Sequence, residues 1–272
     1  MSHKALMVLG MHRSGTSLLA SWLASCGLHL GDTLAGANIG NTKGHFEDLE
    51  SVHLHDKLLR LVNIYDGGLT NIENIHALQE NVVDDNIGCF LKAKQNNNNY
   101  WGWKDPRTCL FLKSYNKLIP NAKAIVIFRE PLEVVDSIIR REEKKLAKRT
   151  LNRGIIKKHY YQLRYFLASK YLRHFKAKQF LLAWVAYNEL LIEFLEKKNA
   201  NDYIILNLND FEKSEKEIFK KLTHWGFPLS YLPLTNVIDK SLLLNTTARI
   251  NQANITKSNL TLAKLESMAN NL

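Results

Sequence analysis

The chain has 272 residues, 46 % of them hydrophobic, and a formal net charge of +11 at neutral pH. That length and apolar content suffice for the core of one large α/β domain, so we expect residues 1–272 to form a single domain. The sequence has no run of eighteen apolar residues, no metal-ligand spacing among its three cysteines and no long apolar signal segment, which argues against a membrane span, a cysteine metal site and secretion, and favours free thiols in the cytoplasm.

The first predicted elements are a strand over Lys4–Leu9 and a helix that begins at Thr16. The loop between them, with the first turn of the helix, reads Gly10-Met11-His12-Arg13-Ser14-Gly15-Thr16-Ser17. Gly10 and Gly15 permit backbone conformations that a side chain would block, so the amides that follow can point at an anion on the positive end of the helix. We interpret this segment as a phosphate or sulfate cradle; the alternative is a tight turn that binds nothing. The residues that offer an amide, hydroxyl or guanidinium are Arg13, Ser14, Gly15, Thr16 and Ser17.

The spacing of the two glycines matches the nucleotide-triphosphate pattern G-x-x-x-x-G-K-[ST], but one position differs. Thr16 stands where that pattern has a lysine, the group that reaches the outer phosphates of ATP or GTP. The cation lies inside the loop instead, at Arg13. The loop therefore predicts an anionic ligand other than an ordinary nucleoside triphosphate.

The middle of the chain predicts a polar loop, three helices and a strand. Residues 28–48 are rich in Gly, Asn, Thr and Asp, and a long polar loop after a phosphate-binding unit is a candidate substrate wall. Gly88 interrupts the second helical pattern. The predicted elements are helices over 49–62, 75–94 and 108–118 and a strand over 100–104.

An unbroken apolar run over 124–128 predicts a parallel strand that is buried on both faces. It ends at Arg129, where phosphoryl-transferring enzymes have an acidic residue that helps to hold Mg²⁺. Pro131 then starts a helix whose second turn carries Ser137, so a guanidinium and a hydroxyl can grip one phosphate from two sides. The presence of Arg129 where those enzymes have an acidic residue argues against a metal site.

The positive charge is concentrated in one aromatic-rich segment. Between Arg140 and Lys178 there are fourteen Lys and Arg and two Glu, so this segment carries about +12 and the rest of the chain about −1. We expect a basic helical insertion over 141–178. A solvated helix face, a binding surface for an acidic acceptor, and contact with a membrane surface or nucleic acid all fit this composition.

The last third of the chain predicts a helix, a short strand and two further helices. Strands that alternate with helices of these lengths favour a three-layer α/β fold, with a central parallel sheet, helices on both faces and ligands at the carboxyl ends of the strands. Asp210 is predicted to cap the first of the two final helices. The predicted elements are helices over 180–195, 210–224 and 260–268 and a strand over 203–206.

Three motifs together resemble those of the P-loop sulfotransferases, which use 3′-phosphoadenosine 5′-phosphosulfate as donor. They are the loop from Gly10 to Ser17, the sequence Lys104-Asp105-Pro106-Arg107, and Arg129 with Ser137 eight residues later. The resemblance covers residues 4–140 by motif and extends more loosely to about residue 226. It implies that the loop cradles the 5′-phosphosulfate and that Arg129 and Ser137 hold the 3′-phosphate.

The resemblance also implies which side chains carry the chemistry. Pro106 stands about where the cytosolic small-molecule members have a catalytic histidine, so this chain needs another base. Many other members use a carboxylate, which points to Glu47, with Asp48 and Asp105 as rivals. Arg13, where many members have lysine, keeps the charge and adds donors. The implied catalytic residues are Glu47, Lys104 and Arg13.

Each assignment has a structural alternative. Glu47 can be a surface carboxylate or cap a helix, and Lys104 can pair with Asp105. Arg107 is expected to be a structural partner of a carboxylate, and His12 to shape the loop. Trp184 and Tyr187 fit a place in the core better than a role in stacking on the adenine ring.

The function implied is transfer of a sulfuryl group to a hydroxyl or amine, with adenosine 3′,5′-bisphosphate as the product and no metal. We expect a glycan or another acidic or carbohydrate-containing acceptor, no nucleic-acid partner, and membrane-surface contact through 141–178 as a further hypothesis. Two other functions stay open: a divergent nucleotide or nucleoside kinase that needs ATP and Mg²⁺, and a non-catalytic nucleotide-binding protein.

Overall fold

In the computed structural model, which describes residues 3–36, 44–97, 99–151, 158–236 and 252–269, four parallel strands form the centre of the fold. Their order across the sheet is β2-β1-β3-β4. The sequence predicted each strand to within one residue, because buried parallel strands are short apolar runs. The strands are β1 (Lys4–Leu9), β2 (Tyr100–Lys104), β3 (Lys123–Phe128) and β4 (Tyr203–Asn207).

Helices cover both faces of this sheet. Alternate residues of β1 point to opposite sides, so Met7 packs into one apolar core and Val8 into the other. The three-layer α/β prediction is therefore confirmed. The described helices are α1 (Thr16–Ser25), α2 (Leu49–Leu61), α3 (Glu80–Asn97), α4 (Leu112–Leu118), α5 (Pro131–Leu151), α6 (Lys158–Tyr171), α7 (Ala177–Lys197), α8 (Phe211–His224) and α9 (Gln252–Ala269).

Two of the predicted helices begin as 3₁₀ turns. The helix predicted over 75–94 is a 3₁₀ turn over Ile72–Ala77 followed by α3, which begins at Glu80 and continues through Gly88. The helix predicted over 108–118 starts as a 3₁₀ turn over Pro106–Phe111, because Asp105 accepts a hydrogen bond from the amide of the second turn residue, and α4 begins only after this turn. The pattern of apolar residues located both segments but not their helix type.

Two predictions near the end of the chain were wrong in detail. Asp210 directly precedes α8, but its side chain makes no cap hydrogen bond, since a 3₁₀ turn over Leu208–Asp210 runs straight into the helix. Asn207 caps that turn instead by accepting from the amide of Asn209. The helix predicted over 260–268 is α9, which begins eight residues earlier because it packs along α7 and β4.

The order of the strands places the candidate site. β1 lies between β2 and β3, so the chain leaves β1 on one side and returns on the other. At such a switch point the loops after neighbouring strands separate and leave a crevice at their carboxyl ends. Gly10 follows β1 and Arg129 follows β3, and both flank this crevice.

Two predicted regions lie partly outside the described residues. The substrate wall over 28–48 includes 37–43, and the basic insertion over 141–178 includes 152–157. The described part of the insertion is the second half of α5, then α6 and a π-helical turn over Leu172–Lys176 that joins α6 to α7. The assignment of the whole chain to one domain stays a prediction.

Candidate active site at the carboxyl edge of the sheet

The 10–17 loop joins β1 to α1 and is held in shape by close backbone packing. A Cβ on Gly10 would lie 2.3 Å from the carbonyl oxygen of Ile127, and a Cβ on Gly15 would lie 2.6 Å from the side chain of Leu208. Gly15 has φ +98°, and Arg13 has φ +70°, which is uncommon for a residue with a side chain. Strained backbone of this kind is concentrated at functional sites.

The loop presents the N-terminus of α1 to the crevice. The helix begins at Thr16, and in the part of the chain that the structure describes no side chain caps it and no acidic residue lies in its first turn. The first amides of a helix have no acceptor within the helix and carry partial positive charge, so they favour a phosphate or sulfate group. The predicted cradle residues lie together here: Arg13, Ser14, Gly15, Thr16 and Ser17.

A hydrogen bond joins the loop to the predicted 3′-phosphate site. The Nε of Arg13 donates to the Oγ of Ser137 at 2.9 Å, across the crevice between β1 and α5. Arg129 follows β3, and its Nε donates to Glu133 Oε2 at 2.6 Å. The structure thus gathers two guanidinium groups and a hydroxyl around one crevice, at the end of the strand where a metal-binding acid would stand in a phosphoryl-transfer enzyme.

Further cations surround Arg13. Burial, followed by the charges of Arg141, Arg129 and Arg140, lowers the pKa of Arg13 to about 10. The neighbouring guanidinium groups lower the pKa of Arg13 because like charges repel each other. A multiply charged anion bound between these groups would remove that repulsion. The sequence reasoning did not select Arg140 and Arg141 as site residues. The signal for them was their spacing, since residues three and four positions after Ser137 lie on the same side of a helix.

The predicted catalytic lysine lies at the end of β2 and faces the loop. Lys104 is only 1 % exposed. Its Nζ donates to Glu47 Oε1 at 2.6 Å, to the carbonyl oxygen of His45 at 3.1 Å and to Ser17 Oγ at 3.2 Å. The alternative in which Lys104 pairs with Asp105 is therefore wrong, because the two side chains leave the strand end on opposite sides.

The backbone before Glu47 is held tightly. Phe46 has φ +53°, a left-handed conformation that turns the chain toward the site. The amide of Ala35 donates to the carbonyl oxygen of Glu47 at 2.7 Å, and the amide of His45 donates to that of Ala35 at 3.1 Å. These bonds fix the carboxylate beside Lys104, with 15 % of its side chain still exposed.

The rival carboxylate Asp48 serves the structure of the protein. It is 1 % exposed and caps α2 by accepting from the amide of Glu50. Lys94, from α3, lies 2.7 Å from its Oδ2. A Cβ on Gly31 would lie 2.6 Å from the carboxyl carbon, so the chain packs directly against it. Asp48 therefore anchors α2 and has no access to the crevice.

The second rival, Asp105, lies in a buried cluster behind the site. Its carboxylate accepts from His55 Nδ1 at 2.9 Å and from Arg107 Nη2 at 2.6 Å, and His55 Nε2 lies 3.0 Å from the hydroxyl of Tyr115. Burial by itself would raise the pKa of Asp105, but the charges of Arg107 and His55 outweigh it and hold that pKa well below its usual range. Asp105 is therefore a poor proton acceptor, and Arg107 is its structural partner, as expected.

Gly67 and Gly68 lie on the other side of the 10–17 loop. His12 Nε2 lies 3.0 Å from the carbonyl oxygen of Gly67, and the ring of His12 meets the edge of Tyr187. A Cβ on Gly68 would lie 2.7 Å from the hydroxyl of Tyr187. Burial, followed by the charge of Arg141, lowers the pKa of His12 well below its usual value, so the ring stays neutral and shapes the loop. Tyr187 is part of the core, as its spacing predicted.

The described residues contain no group of three or more His, Cys, Asp or Glu side chains placed to hold a metal ion. Within the same residues, no helix is both long enough and apolar enough to cross a membrane.

Comparison with known proteins identifies the family. Residues 5–193, from β1 into α7, match the model of the Sulfotransferase family. The chain belongs to the sulfotransferase family. The matched region contains every predicted site residue, from Arg13 in the loop to Ser137 in α5. A search of curated proteins finds no sequence that matches this chain.

Solved sulfotransferases share the fold at low sequence identity. A sulfotransferase from Mycobacterium tuberculosis superposes with a TM-score of 0.52 at 12 % identity, over 100 % of this chain and 77 % of that one. One from Alicyclobacillus acidocaldarius gives a TM-score of 0.51 at 9 % identity, over 99 % of this chain and 97 % of that one. At these identities the likeness concerns the fold alone.

Proposed function

We propose that this sulfotransferase takes its sulfuryl group from 3′-phosphoadenosine 5′-phosphosulfate and transfers it to a hydroxyl or amine of a carbohydrate-containing or acidic acceptor. The observation that carries the proposal is the bond from Arg13 to Ser137. It joins the loop before an uncapped helix N-terminus to α5, and the charge of Arg129 lies near Arg13. A donor with phosphate groups at both its 5′ and 3′ positions would place one anion at the helix N-terminus and one near Arg129, whereas the Mg²⁺ of a metal–triphosphate complex would find no acidic residue on β3.

The residues of the crevice divide the donor between them. The amides and hydroxyls of residues 14–17 would hold the 5′-phosphosulfate, and Arg129 and Ser137 would hold the 3′-phosphate. When bound, the donor supplies an activated sulfuryl group, and the protein supplies position and electrostatic field. Glu133, which now accepts from Arg129, would keep one edge of that guanidinium in place while the other edge faces the ligand.

Lys104 and Glu47 have complementary roles in the transfer. Lys104 and Arg13 would stabilise the negative charge that develops on the sulfuryl and bridging oxygens. Glu47 would accept the proton of the attacking hydroxyl or amine, since it keeps contact with solvent while Asp48 and Asp105 are enclosed by their own partners. The ion pair of 2.6 Å between Lys104 and Glu47 holds both groups at the carboxyl end of β2.

Ligand-dependent stability tests the donor. Thermal unfolding is measured with adenosine 3′,5′-bisphosphate and, separately, with ATP and Mg²⁺. We expect stabilisation by the bisphosphate, because a ligand that binds only the folded state raises the unfolding temperature. Stabilisation by ATP and Mg²⁺ alone would favour the kinase hypothesis and contradict the proposal.

Transfer of radiolabelled sulfate from the donor to glycans, lipids and small alcohols tests the acceptor. Activity on the first group and none on simple alcohols is the expected result. Binding of the bisphosphate without transfer to any acceptor would favour a non-catalytic protein. The cytoplasmic location and the absence of a nucleic-acid partner stay predictions.

A further inference from the structure

The outward face of α6 and of the turn that follows it is apolar. Each of the large side chains on this face is more than half exposed among the described residues. Tyr171 and Phe175 stack on each other with ring centroids 5.5 Å apart. We call this surface the α6 face; its residues are Leu163, Phe166, Leu167, Tyr171 and Phe175.

Another side of α6 is packed against α5. Ser169 of α6 and Arg173 of the π-helical turn both donate to Glu143 of α5, which fixes α6 against that helix. Contiguous exposed apolar residues mark a surface that meets a partner or a membrane. The α6 face is therefore a candidate docking surface.

The charges around the α6 face select the kind of partner. From Lys144 through Asn188 the sequence has twelve Lys and Arg and no Asp or Glu. Arg164 and Lys178 are exposed beside the face. The Nζ of Lys170 lies 4.8 Å from the centroid of the Phe166 ring, so a cation sits level with the apolar side chains. Aromatic and leucine side chains that are flanked by cations match the boundary between acyl chains and anionic headgroups.

We infer that the α6 face docks on the surface of an anionic lipid bilayer. A second copy of this chain is a poor occupant, because a symmetric contact would bring together two segments with a large excess of Lys and Arg, and Glu143, which packs against α6, is already paired with Arg173. Docking needs neither the donor nor the crevice, so the inference stands apart from the proposed activity.

Sedimentation with vesicles tests the inference. The full chain is mixed with vesicles of phosphatidylcholine alone and with vesicles that contain about a third phosphatidylglycerol. We expect binding to the anionic vesicles only. Replacement of Phe166 and Leu167 by Ser should weaken it by at least about tenfold, and Arg164→Gln by roughly fivefold. Leu260→Ser is the matched control, since Leu260 is 68 % exposed on α9.

A second measurement does not depend on loss of binding. Because the chain has five tryptophans, the wild-type spectrum is subtracted from that of each variant. The remaining emission of Phe166→Trp should shift to the blue when anionic vesicles are added, whereas that of Leu260→Trp should not. Arg129→Ala removes a side chain that we propose to bind the sulfuryl donor. This variant should leave vesicle binding unchanged, so it separates the inference from the proposed function.

Three results would overturn the inference. They are equal binding to both kinds of vesicle, binding that is unaffected by the double Ser variant, and no binding at all. A dimer in ultracentrifugation that the double Ser variant abolishes would assign the face to a second copy, and equally overturn it.

Discussion

Two groups of charged residues meet at the end of β2 and differ in how they are closed. Lys104 pairs with Glu47 on the crevice side, where the carboxylate keeps some contact with solvent. Its neighbour Asp105 points the other way and is enclosed by Arg107 and His55. Each is a carboxylate–cation pair with a member in the Lys104-Asp105-Pro106-Arg107 motif. A carboxylate that is enclosed by its partners serves the fold, whereas a carboxylate that keeps contact with solvent, as Glu47 does, can still accept a proton from a substrate.

A substitution at Glu47 is the most direct test of the difference between these two pairs. Glu47→Gln should keep the hydrogen bond from Lys104 but lose the proton acceptor, so kcat should fall by about 10²–10⁴-fold. Stabilisation by adenosine 3′,5′-bisphosphate should stay as in the wild type, which thermal unfolding checks. Glu217→Gln, on the exposed face of α8, is the control. An unchanged kcat would move the role of base elsewhere.

The closed cluster should respond in the opposite way. Asp105→Asn leaves the buried Arg107 without its full counter-charge, so the free energy of unfolding should fall by about 3–5 kcal/mol. Urea unfolding measures this, with Glu217→Gln on the exposed face of α8 as the comparison, for which little loss is expected. If Asp105→Asn loses no more stability than Glu217→Gln, the cluster does not hold the fold together.

Within the crevice, the two anion sites can be separated by ligand. Arg129→Ala should weaken the affinity for adenosine 3′,5′-bisphosphate by about 10–100-fold, because a charge-assisted contact to phosphate is lost. Affinity for adenosine 5′-phosphosulfate, which lacks the 3′-phosphate, should change little. Calorimetry with both ligands checks this. Equal losses for the two ligands would mean that Arg129 does not read the 3′-phosphate.

The smallest effect concerns His12 and pH. The buried ring has a pKa well below the ordinary value of 6.5, so the folded protein binds this proton less readily than the unfolded chain. Stability should therefore fall as the pH drops below about 6.5, by at most about 1.4 kcal/mol per pH unit. His12→Gln should show a shallower acid slope than the wild type in urea unfolding. Identical slopes would mean that His12 titrates normally in the folded state.

The sequence predicted most of the fold from local patterns. The strands and most helices follow from apolar runs and helical spacing, and Gly10 and Gly15 marked the loop because close packing excludes a side chain there. Local patterns gave less where particular contacts set the type or length of a helix. Residues 106–111 form a 3₁₀ turn because Asp105 accepts from the amide of Arg107, and α9 is extended by its contact with α7.

For the site, the sequence by itself supplied the residue types. The loop has Arg13 where many family members have lysine, and Arg129 stands where a metal-binding acid would stand. Three carboxylates lie in or near the motifs. Only the tertiary structure separated Glu47 from Asp48 and Asp105 and brought Arg140 and Arg141 toward the loop. Burial and partner geometry depend on residues far apart in the chain, here α2, α3 and the end of β2. The residues of a motif do not encode that dependence. The motif does predict that the 10–17 loop lies at the carboxyl edge of the sheet, where these partners meet.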